Sequence, residues 1–103
     1  MSAKKTGQQT AVLASPPTIL CAGNVVGRME GEGPLAACFD YVDQDDTFGE
    51  ATWEQSERAM QQKALALALQ KGGLTAQQLD YLFAGDLLNQ CVSSSYAARE
   101  QKI

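Results

Sequence analysis

Residues 52–73 read TWEQSERAMQQKALALALQKGG, and this stretch decides the fold. Thr52 and Gln55 have the spacing of a capping box, in which the threonine hydroxyl accepts from the first turn and the glutamine side chain returns the bond. The glycine pair at the end can take the left-handed conformation that terminates helices. The stretch therefore predicts a long helix from Thr52 to about Lys71.

The middle of this helix is apolar around most of its circumference. Leu65 and Leu69 lie on one side of the helix, whereas Met60 and Leu67 lie on another. A helix of this kind needs protein packed on more than one face. A chain of 103 residues can bury only a modest hydrophobic core, so it has few residues with which to cover those faces. We therefore expect an incomplete domain that forms the N-terminal portion of a larger protein.

The segments before the helix are short. Residues 1–9 are polar and predict a flexible start, so the partial domain is expected over residues 10–103. Residues 10–14 and 18–22 predict two short strands on either side of a proline pair, or one strand that the prolines interrupt. Residues 23–33 are glycine-rich and predict a loop.

Residues 35–41 follow Pro34 and predict one or two helical turns, because proline is tolerated in the first turn.

The segments after the long helix predict a turn, then a strand, then a second helix. Thr75 and Gln78 repeat the capping-box spacing. Residues 81–84, YLFA, are apolar without alternation, as in a strand that is buried on both faces of a parallel sheet. Residues 93–101 predict a helix capped by Ser93 or Ser94. The class is therefore α/β, with a long helix packed on a short mixed or parallel sheet.

Composition excludes several kinds of function. The chain has no histidine, so it cannot by itself supply a serine–histidine or cysteine–histidine pair. Its net charge of −4 argues against nucleic acid as a partner. Cys21, Cys38 and Cys91 form no CxxC pair, which favours a reducing, intracellular setting and packing as small apolar side chains. No stretch has the character of a signal peptide or a membrane span.

The acidic run Asp43-Gln44-Asp45-Asp46-Thr47-Phe48-Gly49 places oxygen ligands at EF-hand spacing, with Glu54 at the twelfth position. Calcium binding is not expected, because Phe48 occupies the sixth position, where that loop needs glycine. The glycine-dense run 27–33 lacks both phosphate-binding patterns and is expected to be structural. Carboxylates over residues 40–57 offer no distinct acid–base pair. We predict no catalytic, cofactor-binding or metal-binding residue in this chain.

Residues 85–90, GDLLNQ, are the strongest candidate for a site. They follow a predicted parallel strand, where α/β sheets place ligands. The alternative is that Asp86 and Asn89 cap or tie the loop through hydrogen bonds, and we favour this second interpretation because short polar side chains commonly do so.

The strings Ala84-Gly85-Asp86-Leu87-Leu88-Asn89-Gln90 and Tyr96-Ala97-Ala98-Arg99 resemble the thiolase superfamily. More closely, the order of residues 32–35, 39–40, 52–54 and 57–58, then Asp80 and residues 84–90, resembles the family of stage V sporulation AD proteins. That resemblance covers about residues 10–103. It implies a thiolase-like fold whose nucleophilic cysteine would lie beyond Ile103, so Cys91 does not replace it.

The resemblance also implies a function in the longer parent. It implies a non-catalytic protein that binds dipicolinic acid for uptake into the forespore, beside other stage V membrane proteins at the spore inner membrane. A homodimer is a further expectation. Two alternatives stay open: the first part of a catalytic thiolase or ketoacyl synthase, and a self-sufficient small interaction protein.

Overall fold

The computed structural model describes residues 3–103; Met1 and Ser2, which belong to the predicted flexible start, lie outside the described residues. It contains two small sheets and one long helix. Four strands lie at β1 (Ala3–Thr6), β2 (Thr10–Leu13), β3 (Val25–Val26) and β4 (Tyr41–Val42). Three helices lie at α1 (Arg28–Gly31), α2 (Trp53–Gly72) and α3 (Val92–Gln101), and 3₁₀ turns lie at Ala36–Cys38 and Ala76–Gln78.

The helix α2 confirms the central prediction. The Thr52 hydroxyl accepts from the Gln55 amide at 3.2 Å, which is the Thr52 half of the predicted capping box. The return bond to the Gln55 side chain is not found among residues 3–103. Gly73 ends the helix with φ of 64°. The Leu74 amide then donates back to the Leu69 carbonyl at 2.9 Å. The turn at Ala76–Gln78 has a complete capping box from Thr75 to Gln78, also as predicted.

Two pairs of strands form the sheets. β1 and β2 pair antiparallel, with Ala3 opposite Leu13. β1 therefore lies within residues 1–9, the predicted flexible start, although all four of its residues are exposed. The predicted start of the partial domain at residue 10 stays a prediction. β3 and β4 pair in parallel, with Val25 opposite Tyr41. Both β3 and β4 lie in segments for which the sequence predicted no strand.

The parallel pair is attached to α2 by polar contacts. The Asn24 and Asp40 side chains each accept from the other residue's amide, at 2.6 and 3.0 Å. Lys71 of α2 donates to the Asp40 carboxylate at 2.9 Å, and this hydrogen bond is the main reason that the pKa of Asp40 is lowered. The long helix thus packs on a short sheet, as expected.

The predicted strands at residues 18–22 and 81–84 are wrong for the described structure. Ile19 is 88% exposed, and Tyr81 and Phe83 are 82% and 93% exposed. No strand is formed at either place within residues 3–103. A strand needs a neighbour for its amides and carbonyls, and the described part of the chain supplies none there. Residues 18–20 and 81–83 instead present large apolar side chains to the surface.

Little of the apolar surface is covered. Among residues 3–103, Ala97 is the single buried hydrophobic residue, and Ser56 is the single buried residue of α2. The radius of gyration is 16.3 Å, whereas a compact domain of 100 residues has about 13 Å. The accessible surface is 7855 Å², against about 5,600 Å² for a compact protein of this mass. The chain is therefore an incomplete α/β domain, as the apolar helix predicted.

Gly23 allows β3 to approach α2. A Cβ atom at residue 23 would lie 2.6 Å from the Ala64 carbonyl oxygen and 2.7 Å from the Ala68 amide. Both are backbone atoms of α2 and cannot rotate away. We expect Gly23→Ala to lower the free energy of unfolding by about 1–3 kcal/mol, the usual effect of overpacking, as measured by urea unfolding followed by circular dichroism.

Gly85→Ala is the matched control, because a Cβ at residue 85 meets nothing within 4 Å. It should change the free energy of unfolding by less than about 0.5 kcal/mol. Equal stabilities of the two variants would contradict the close approach at Gly23.

Candidate functional site

Asp86 is the best-connected polar side chain of the candidate segment. One carboxylate oxygen, Oδ2, accepts from the Ser93 amide at 2.7 Å, and Oδ1 accepts from the Ser94 amide at 2.9 Å. These amides belong to the first turn of α3, where N–H groups have no partner inside the helix. Asp86 therefore caps α3 from the preceding loop, and this geometry confirms the favoured interpretation of the segment.

The predicted cap residues of α3 are wrong. Ser93 and Ser94 lie inside the first turn and are buried, while Cys91 holds the N-cap position with φ of 56°. With this left-handed backbone at Cys91, no side chain at the N-cap position accepts a hydrogen bond from the free amides of the first turn. The carboxylate of Asp86, reached through the folded loop, takes that role.

Gln61 and Glu57 of α2 bind the same loop to the long helix. The Gln61 amide group donates to the Gly85 carbonyl at 3.2 Å and to Asp86 Oδ1 at 3.3 Å. Glu57 accepts from the Leu87 amide at 2.7 Å and from the Ser93 hydroxyl at 3.0 Å.

Glu54 completes the contact between loop and helix. Its carboxylate accepts from the Asn89 side chain at 3.0 Å, and its carbonyl accepts from the Ser93 hydroxyl at 3.2 Å. We call this set the Asp86 clamp; its members are Glu54, Glu57, Gln61, Asp86, Asn89 and Ser93. The clamp joins α2, the loop and the start of α3.

Opposing effects act on the Asp86 carboxyl group. Desolvation is the largest single effect and raises its pKa. The hydrogen bonds from Ser94 and Gln61, with the backbone amides of Ser94 and Ser93, together outweigh it. The pKa of Asp86 is therefore lowered, and the carboxylate stays ionised at neutral pH.

The clamp fixes the loop and the first turn of α3. Asp86, Glu57 and Glu54 all accept hydrogen bonds from neighbouring residues of the chain, and no cysteine belongs to the clamp. A general base would need to be within reach of a proton on a substrate or nucleophile. The arrangement of these carboxylates instead favours a fixed loop and a fixed helix start.

The cysteines depart in part from their predicted packing. Cys21 is half-buried, and its sulfur would lie 2.6 Å from a Cβ at Gly72. Cys38 and Cys91 are exposed, so the prediction of packed thiols is wrong for these two residues. The reason is that the described chain offers too little apolar cover to enclose them. All three are free thiols.

The acidic run at residues 43–49 uses its carboxylates to hold its own turn. Asp45 accepts from the Thr47 amide at 3.0 Å, the Thr47 hydroxyl at 2.8 Å and the Gly49 amide at 3.0 Å, and these bonds lower its pKa. Asp43 accepts from the Asp45 amide at 2.8 Å. No group of three metal-binding side chains is present within residues 3–103.

The glycine-dense run at residues 27–33 forms a tight structural turn. Gly27 precedes the short helix α1, and the Arg28 amide donates to the Asp46 side chain at 3.1 Å. Gly31 lies directly against the Val42 side chain. The run therefore packs beside β4.

Sequence reasoning missed Gln61 and Ser93 as partners of Asp86, and it missed Glu57 as the acceptor for the Leu87 amide in the same loop. A signal was present, because residues 54, 57 and 61 are separated by three and four positions and share one face of a helix. What the sequence did not show is that the loop before α3 returns to that face.

Comparison with known proteins identifies relatives. The family model described as Stage V sporulation protein AD matches residues 7–103. Stage V sporulation protein AD of Bacillus subtilis (strain 168) is 42% identical over 100 residues, covering 97% of this chain. The chain spans 30% of the length of that relative. None of the helices in the described range 3–103 is both long and apolar enough to cross a bilayer.

Removing the carboxylate of Asp86 should loosen the start of α3. We expect Asp86→Ala to raise the hydrogen-exchange rates of the Ser93 and Ser94 amides about fivefold, a typical effect of losing an N-cap. Exchange measured by NMR on amide-protonated protein in D₂O reports this directly. Asp80→Ala, an exposed aspartate in the turn before the apolar run, is the control and should leave both amides unchanged.

The clamp should also depend on pH. Because the folded-state pKa of Asp86 lies below its ordinary value of 3.8, its contribution to stability is complete above that value. It is lost as the pH falls through the lowered folded-state pKa. Urea unfolding from about pH 2 to 5 should show a loss of stability in the wild type that is smaller in Asp86→Asn. Identical pH profiles would contradict this assignment.

Proposed function

The chain belongs to the stage V sporulation protein AD family, and from this premise we propose that it contributes a structural part of a non-catalytic protein that binds dipicolinic acid during sporulation. The whole protein would have a thiolase-like fold. It would act at the periphery of the spore inner membrane with other stage V membrane proteins, and it would form a homodimer.

Family membership is the observation that carries this proposal. The match extends over residues 7–103 and includes the whole Asp86 clamp. The clamp supports a positioning role, because its carboxylates are occupied by hydrogen bonds that fix the loop and the first turn of α3. The absence of histidine removes histidine-based acid–base chemistry from these residues.

Dipicolinate binding is expected to need more protein than residues 1–103. Ligand sites enclose most of a small molecule's surface, whereas the described chain covers little of its own apolar surface. We therefore propose that residues 1–103 hold part of the scaffold and that the ligand meets groups outside them.

The test uses a chimera. Residues 1–103 replace the corresponding segment of the Bacillus subtilis relative, and isothermal titration with dipicolinate is run on the relative, the chimera and the 103-residue chain. We expect saturable binding by the relative and the chimera, with dissociation constants within about tenfold, and no saturable heat with the 103-residue chain.

Each other result counts against a defined part of the proposal. Stoichiometric binding by the 103-residue chain would show that the scaffold role is wrong. Absence of binding by the relative and the chimera would reject dipicolinate as the ligand. Turnover of an acyl-CoA by the chimera would establish the enzymatic alternative, a catalytic thiolase or ketoacyl synthase.

A further inference from the structure

Residues 81–84, YLFA, have backbone groups without partners. They lie between the 3₁₀ turn at Ala76–Gln78 and the Asp86 clamp, and they form neither a helix nor a strand. Within residues 3–103, none of their amides donates a hydrogen bond and none of their carbonyls accepts one; the nearest such bonds are at Gly85 and Leu87. Backbone N–H and C=O groups beside large apolar side chains are normally paired in a folded protein.

The side chains of this segment lie on two different faces. One face lines an apolar groove with residues of α2 and α3; the groove includes Leu82, Ala84, Ala64, Leu65 and Ala97. The other face carries Tyr81 and Phe83, which are 82% and 93% exposed, whereas Leu82 is 38% exposed. Alternation with a period of two is the geometry of a β-strand. The segment therefore lies on the helices as a strand does, but without neighbours.

A second segment without backbone partners approaches the same face of α2. Residues 18–20 have no backbone hydrogen bond among residues 3–103. The residues that follow them lie close to α2, with Cys21 beside Gly72 and Gly23 against Ala64. Positions 64 and 72 are two turns apart, on the helix face that also carries positions 61 and 65. One face of α2 thus carries two segments that both need strand partners.

The length of the family's chain argues for the source of those partners. The chain spans 30% of the Bacillus subtilis relative, so most of that protein lies outside the match. A second copy of the chain that paired through its own residues 81–84 would leave residues 18–20 without a partner. A longer polypeptide can supply strands to both segments. The remainder of the family protein is therefore the partner that fits.

We propose that residues 81–84 are a docking site for a β-strand from the part of the family protein that lies outside residues 1–103. The added strand exchanges backbone hydrogen bonds with residues 81–84, as in β-strand addition, and this segment then becomes a strand on the face of α2. In the chain by itself the segment stays without a partner. The inference rests on the proposed larger parent and is independent of dipicolinate as the ligand.

Hydrogen exchange of the backbone amides tests this docking site. The 103-residue chain is compared with the chimera that carries residues 1–103 within the Bacillus subtilis relative, both without dipicolinate. A neighbouring strand bonds to every second amide. In the chimera we therefore expect exchange to slow by about 100-fold or more at one alternate pair of amides, or at both pairs where strands dock on both edges. The same amides should exchange freely in the 103-residue chain.

Proline variants separate strand pairing from simple burial. Leu82→Pro and Phe83→Pro each remove an amide that faces a different edge, and Leu82→Ala and Phe83→Ala are the matched controls. At least one proline should lower the melting temperature of the chimera by about 4 °C or more below its alanine control. In the 103-residue chain each proline should match its alanine control, because no hydrogen bond is lost there.

Several results would overturn the proposal. They are amides that exchange as fast in the chimera as in the 103-residue chain, a chimera that does not fold, and proline variants equal to their alanine controls. Slowing of the same amides as the concentration of the 103-residue chain is raised would assign the site to a second copy instead. Slowed amides in a chimera that does not bind dipicolinate would reject the ligand and support the docking site.

Discussion

The covering of α2 is the constraint on which the rest of the structure depends. The helix is apolar on several sides, yet α3 and the β3 segment reach only part of it, and Ser56 is its one buried residue within residues 3–103. Apolar surface left in water costs roughly 25 cal/mol for each Å² that burial would remove. Tyr81, Phe83 and Leu87 are large apolar residues that are also exposed. The low compactness and the 30% coverage of the Bacillus subtilis relative agree with this picture.

Polar contacts hold in place the segments that the small apolar core does not fix. The Asp86 clamp holds the loop and the start of α3 on one end of α2, and Lys71 with Asp40 and Asn24 holds the parallel strands near the other end. Hydrogen bonds to charged groups are stronger than neutral ones. The candidate site is therefore a positioning device.

The sequence predicted the local features well and the pairing of strands poorly. The caps at Thr52 and Thr75 were predictable because a capping box involves residues three positions apart. The strand at residues 81–84 was predicted from a run of apolar residues, but a strand also requires a partner that the run does not specify. β3 and β4 are two residues long, too short for their pattern to be distinguished from a loop. The sequence predicted that Asp86 caps or ties its loop through hydrogen bonds, but it did not predict the partner of Asp86 on α2.

The sequence alone determined the length and ends of α2, the α/β class, the need of its apolar surface for more protein, and the exclusion of histidine chemistry. These properties follow from neighbouring residues or from composition. The tertiary structure alone decided that Asp86 caps α3 and that Glu57 and Gln61 bind its loop. The capping contacts of Asp86 join residues 7 and 8 positions apart, and the contacts of Glu57 and Gln61 join residues 24 to 36 positions apart. Both sets depend on how the chain returns on itself, which neighbouring residues do not specify.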